Sequence, residues 1–221
     1  SDDSKMHAAS EALIRALLPK ISAENVDEQF RFAWKQSILT GPNKSLWGTA
    51  GQFFRLFGAD EELKNGLKRQ LYSPDRNARL GAATAHVELF SAMKRDNFAD
   101  AGEFPEDLIF AIEAGLSGAL HFLLQAARIG LRKEVFSINQ INRLAVTVSE
   151  LTNLYSFETW DMERPDTFEM TLVRGELLKL AATLCRQGSR SEKLQAVIDQ
   201  IPSEPLPELR SVLVSEENTP S

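Results

Sequence analysis

LIFAIEAGLSGALHFLLQAA, residues 108–127, fits two incompatible structures, a membrane span or a buried core helix. It is long enough to cross a bilayer, and Gly115 and Gly118 inside it are the small residues that membrane helices use to pack. Glu113, His121 and Gln125 also fall inside it. Burying those three in hydrocarbon would cost several kcal/mol together. Mean hydropathy of the whole chain is −0.23, on the polar side. The run is therefore read as one central core helix over 106–128, apolar most of the way round and covered by its neighbours.

The rest of the chain agrees with a helical core. It carries 29 Leu and 24 Ala against 10 Ile and 9 Val. Leu and Ala enter helices at little entropic cost, whereas Val and Ile favour strands. Because no β-branched segment alternates apolar with polar over five residues, the fold class is all-α. About nine antiparallel helices are expected, at 6–18, 26–39, 46–57, 60–72, 74–95, 106–128, 138–156, 167–186 and 191–201. Asn25, Ser45, Asp60, Ser73 and Ser137 are read as N-caps, and Asp166 with Glu169 as a capping box. The inward stripes include Val26, Phe30, Ala33, Trp34 and Ile38, and further on Ile138, Ile141, Leu144, Ala145, Val148 and Leu151. Connections of two to eight residues make successive helices antiparallel. A single all-α domain is expected over 1–201, with a boundary between sub-bundles 1–95 and 106–201 in the loop 96–105. An acidic, Pro-rich tail follows at 202–221, disordered beyond Leu213.

Charge is unevenly placed on a chain of net −6 and pI near 5.2. Residues 1–28 hold six acids and three bases, residues 202–221 four acids and one base, and the stretch between is balanced. Nucleic-acid binding draws on a surplus of Lys and Arg, which is lacking here, so nucleic acid is not the expected partner. Cys185 is the only cysteine, so no internal disulfide forms; in LLKLAATLC it reads as a small buried hydrophobe. A cytoplasmic, reducing location is expected. No secretory signal is legible, although a chain that starts at Ser1 leaves room for a native segment upstream.

Residues 60–94, DEELKNGLKRQLYSPDRNARLGAATAHVELFSAMK, resemble one HEAT-like helical repeat unit. Leu67 and Leu71, the Pro74-Asp75 turn, Arg79, and the row Ala82, Ala83, Ala85 and Val87 carry the resemblance. Small residues let two helices of a hairpin pack closely, and an Asp favours the start of the second. No second copy follows at a 40-residue period, so the architecture is read as an irregular HEAT-like helical stack or a helical bundle. What the resemblance implies is a surface presented to partners rather than catalysis.

Chemistry-bearing motifs are few. GxxxxGK[ST], GxGxxG, GxSxG and HExxH are all absent from the sequence, and His7, His86 and His121 lack acids or Cys at metal-ligand spacing. No catalytic residue, metal or cofactor is assigned. Glu113 and His121 stand two turns apart on the expected central helix, about 12 Å by helix rise, and are the candidate pocket pair. Trp160 and Arg164, in the polar loop FETWDMERP, are candidate partner anchors, against an indole folded back over the core. Arg128, Arg132 and Lys133 form a basic cluster at the end of the same helix, either partner-binding or explained by the helix dipole. Trp34, Phe53, Phe54 and Phe57 read as core, against a hydrophobic ligand groove. The functional expectation is a non-enzymatic scaffold or adaptor that binds another protein through a helix face or groove. The alternatives are a HEAT-like DNA-repair glycosylase or other nucleic-acid enzyme, and a small-molecule sensor with an apolar pocket between helices.

Overall fold

The computed structural model describes residues 16–17, 20–40, 47–58, 60–93, 103–116, 118–156, 167–188 and 191–212, and ten α-helices and two short 3-10 turns are delimited among the described residues. The helices are α1 (Glu28–Thr40), α2 (Ala50–Phe57), α3 (Glu61–Leu71), α4 (Arg76–Ala92), α5 (Phe104–Glu113), α6 (Leu120–Arg132), α7 (Ile138–Leu154), α8 (Thr167–Arg186), α9 (Glu192–Gln200) and α10 (Pro207–Arg210). No strand occurs among the described residues. The fold is all-α.

Side-chain caps set several of the starts. Asp60 accepts from the Leu63 amide at 2.9 Å and opens α3. Ser137 and Gln140 exchange hydrogen bonds as a reciprocal box at the start of α7. Two starts differ from the sequence reading. Asp27, not Asn25, accepts from the Phe30 amide at 2.7 Å, because residues 23–25 are spent in a 3-10 turn. Asp75, not Ser73, caps α4. The expected helix 6–18, apart from residues 16 and 17, and the Ser45 cap lie outside the described residues.

The decisive run 108–127 is not one helix. It breaks after Glu113 and resumes at Leu120. Gly115 (φ 60°) and Gly118 (φ 77°) adopt left-handed backbone, which costs a glycine little and other residues about 1–2 kcal/mol. A side chain at position 118 would also lie 2.9 Å from Arg76. Glu169 accepts from the Gly118 amide and pairs with Arg76 at 3.0 Å, so this carboxylate holds the break against α4; Asp166, its expected capping partner, lies outside the described residues.

That break sorts the helices into two rows. The odd helices pack in order, α1 on α3, α3 on α5, α5 on α7 and α7 on α9. The even helices do the same from α2 to α10, and the most extensive interfaces are α4 on α6 and α6 on α8. Hairpin pairs α3–α4, α5–α6 and α7–α8 join the rows. One contiguous core runs from Trp34 to Val212, through residues on both sides of positions 94–102, which lie outside the described residues. Trp34 meets Phe53 edge-on with ring centres 5.4 Å apart and donates from its indole to Thr49 at 2.8 Å. Phe30, read as core, is 48% exposed at the outer end of this cluster.

Segment 202–212 packs back onto α8. Leu209 and Val212 are buried, and Glu204 (4% exposed) receives a two-pronged ion pair from Arg174 (5% exposed). Arg174 also donates to the carbonyls of Thr152 and Tyr155 at 2.9 and 2.8 Å, satisfying the end of α7. Residues from 213 onward lie outside the described set.

Two stability outcomes follow. Arg174→Met leaves Glu204 buried without its counter-charge and should destabilise by about 3–5 kcal/mol; Arg174→Met with Glu204→Leu should recover most of that. Urea unfolding of both variants checks this, and an unchanged single-variant midpoint contradicts it. At the α2–α4 crossing a Cβ on Gly51 would sit 2.4 Å from the Glu88 carbonyl oxygen. Gly51→Ala should therefore cost about 1–3 kcal/mol in the same assay, despite alanine's better helix propensity.

Candidate functional site

Helix α7 has one apolar face in the core and three exposed apolar side chains outside it. Leu144, Ala145, Val148 and Leu151 are buried against the core. Ile138, Val146 and Leu154 point outward and are 77%, 52% and 66% exposed. Ile138, counted with the inward stripe by periodicity alone, belongs to this outer set.

A groove of about 540 Å³ runs along the outer face, lined by Glu113 from the end of α5 and by Arg143, Val146, Glu150, Leu151 and Leu154 among others from α7. Arg143 is fixed at its upper edge. It donates to both Glu113 oxygens at 3.2 and 2.8 Å and to Glu106, and lies 4.8 Å over the Phe110 ring. The Glu113 and Glu106 hydrogen bonds hold its guanidinium above its ordinary pKa. Hydrogen bonds from Gln140 and then Arg143 hold the Glu106 carboxyl below the usual range. Glu150 is different: it makes no hydrogen bond or ion pair among the described residues. It separates the groove from a smaller hollow of about 230 Å³, which Glu150 shares with Asn153, Lys193 and Val197.

Of the candidate pocket pair, only Glu113 lines this groove. The break at Gly115 and Gly118 ends the helix the two residues were expected to share, and His121 starts α6 in the other row. The His121 Nδ1 is buried without a hydrogen-bond partner, and its ring centre is 4.0 Å from that of Phe122. Burial pushes its pKa down, against the nearby Glu169 and Glu176 charges.

The basic cluster at the end of α6 is dispersed by its partners. Arg128 pairs with Glu176 of α8 at 3.2 Å. Lys133 turns toward α4 and donates to the Ser91 and Met93 carbonyls, the latter at 2.9 Å. Burial, then the Arg55 charge, lowers its pKa. Arg132 is half-buried. Lys133 thus caps the end of a neighbouring helix rather than its own. Trp160 and Arg164 lie outside the described residues.

Arg143, Val146, Glu150 and Leu154 were not singled out from the sequence. Their signal is faint: Val146 and Leu154 are apolar positions outside the core stripe of the helix. No group of three His, Cys, Asp or Glu among the described residues could hold a metal ion, and no described helix is long and apolar enough to cross a membrane. No family model, no curated protein and no solved structure matches this chain.

The histidines predict a pH dependence. His86 (1% exposed) hydrogen-bonds the Ala82 carbonyl through Nδ1 at 2.7 Å, and burial pushes its pKa below the ordinary 6.5, as it does for His121. In the pH window below 6.5 the unfolded chain therefore binds more protons than the folded one. Folding free energy should be full above that value and fall as pH drops toward the depressed values. Denaturant titrations between about pH 8 and pH 5 should show the decline, and His121→Gln should make it shallower. A flat profile in the parent chain contradicts the assignment.

Proposed function

We propose that this chain is a non-enzymatic scaffold, an irregular HEAT-like stack of helical hairpins, that binds another protein along the outer face of α7. Stacked hairpins leave one row of helices facing outward along its length, and such rows serve as extended binding surfaces. The observation that carries the reading is the pair of exposed apolar side chains on α7 outside its core face. Val146 and Leu154 are 52% and 66% exposed beside a groove, while another face of the same helix already supplies the core. Exposed apolar side chains grouped along one element and rimmed by charge mark a contact surface more often than isolated ones do. Cys185, whose thiol is pushed up by burial and then by the Asp199 charge, is a poor nucleophile and fits a scaffold in a reducing, cytoplasmic setting.

The test is affinity capture from native extract with the whole chain and with its Val146→Asp/Leu154→Asp variant. Both positions are surface sites, so the variant should unfold within about 0.5 kcal/mol of the parent. A stoichiometric protein captured by the parent at moderate salt and lost with the variant is the expected result. Equal capture by both, or recovery of salt-sensitive nucleic acid alone, contradicts the reading.

A further inference from the structure

We infer that the α7 groove takes a basic amphipathic helix, its apolar side chains against Val146, Leu151 and Leu154 and its Lys or Arg against Glu150. The inference rests on the docking reading above and names the chemistry of the partner.

Charge decides the sign of the occupant. Glu106, Glu113 and Glu150 stand along the groove and its upper edge, against the single guanidinium of Arg143. Arg143 is saturated by Glu106 and Glu113 and covered on one face by Phe110. Lys193 lines the smaller hollow beyond Glu150 and not the groove itself. Glu150 is thus left as an exposed carboxylate without a partner among the described residues, beside Val146, Leu151 and Leu154. A cation placed there gains attraction without displacing an existing partner, whereas an anion meets the Glu150 carboxylate itself. The same rim repels nucleic-acid phosphates and anionic lipid surfaces.

Shape decides that the occupant is helical. Val146 and Leu154 lie eight residues apart on a straight helix, about 12 Å. A partner helix that lies along α7 presents side chains at matching separation when its apolar residues are seven or eight positions apart. Its basic residues then fall between or beside them, opposite Glu150. This is the helix-in-groove mode of recognition, with the acidic side supplied by this chain.

The experiment selects phage-displayed random peptides of about 16 residues, enough for about four helical turns, on the whole chain. Enriched sequences should pair apolar residues seven or eight apart with Lys or Arg between or beside them. The best of them, followed by fluorescence anisotropy, should bind Glu150→Lys about tenfold more weakly, and its binding to Val146→Asp/Leu154→Asp should be lost. If enriched peptides need Val146 and Leu154 but are neutral or acidic, and bind Glu150→Lys as well as the parent, the basic-helix inference is overturned while the docking reading stands. If they are indifferent to Val146 and Leu154, or if none is enriched, both fail. Self-association of the chain that the same apolar variant abolishes, without peptide enrichment, also overturns the basic-helix inference in favour of a second copy as occupant.

Discussion

Two glycines in left-handed backbone, Gly115 and Gly118, are the constraint on which the rest of the molecule depends. Without them the most apolar run of the chain would continue as one rod. With them, its first half joins the odd row as α5 and its second half the even row as α6. The even row then has its most extensive interfaces through α6, with α4 on one side and α8 on the other. Glu113, the last residue of α5, pairs with Arg143 at the edge of the outer groove.

Polar contacts mark the seams between helices more than they drive folding. Glu169 holds Arg76 and the Gly118 amide, tying α8 and α4 to the break. Lys35 bridges α1 to Asp60 at 3.1 Å and to Glu62 at the start of α3, and Lys68 of α3 reaches Asp107 of α5 at 2.6 Å. Arg76–Glu169, with Arg76 in solvent, is worth about 0–1 kcal/mol, while Lys35, Asp60 and Asp107 are largely buried. The apolar core supplies the stability and the pairs fix the register between neighbours. Arg174 and Glu204 are the exception. Both are almost fully buried, and the pair with its two carbonyl contacts locks the end of α7 and segment 202–212 to α8. The groove therefore lies on a helix whose far end is held rigidly.

What the sequence made legible was local. The Leu and Ala surplus announced helices, and Asp60 and Ser137 announced their starts, because caps act within three residues. The break at 115–118 was illegible for a physical reason. A glycine inside an apolar run reads equally as a packing seam or a turn, and only the α4 and α8 side chains that meet it decide between them. Glu169 shows the same limit: nothing in its sequence surroundings points to Arg76 and Gly118, its partners far away in sequence. The candidate site was missed because periodicity locates the face that is buried and passes over apolar side chains exposed elsewhere on the same helix. Arg143 and Glu150 carry no spacing signal at all, since what distinguishes them is which charges the fold brings beside one and withholds from the other.

The most direct test of this account is the distance across the break. Spin labels at positions 103 and 132, the outer ends of α5 and α6, would lie about 44 Å apart on one continuous helix. Antiparallel neighbours with axes 8–10 Å apart should instead give a dipolar distance below about 25 Å once the label arms are included. A single short-distance population is the predicted result. A dominant peak near the long value would show the run 108–127 to be one rod, and would remove the two-row packing.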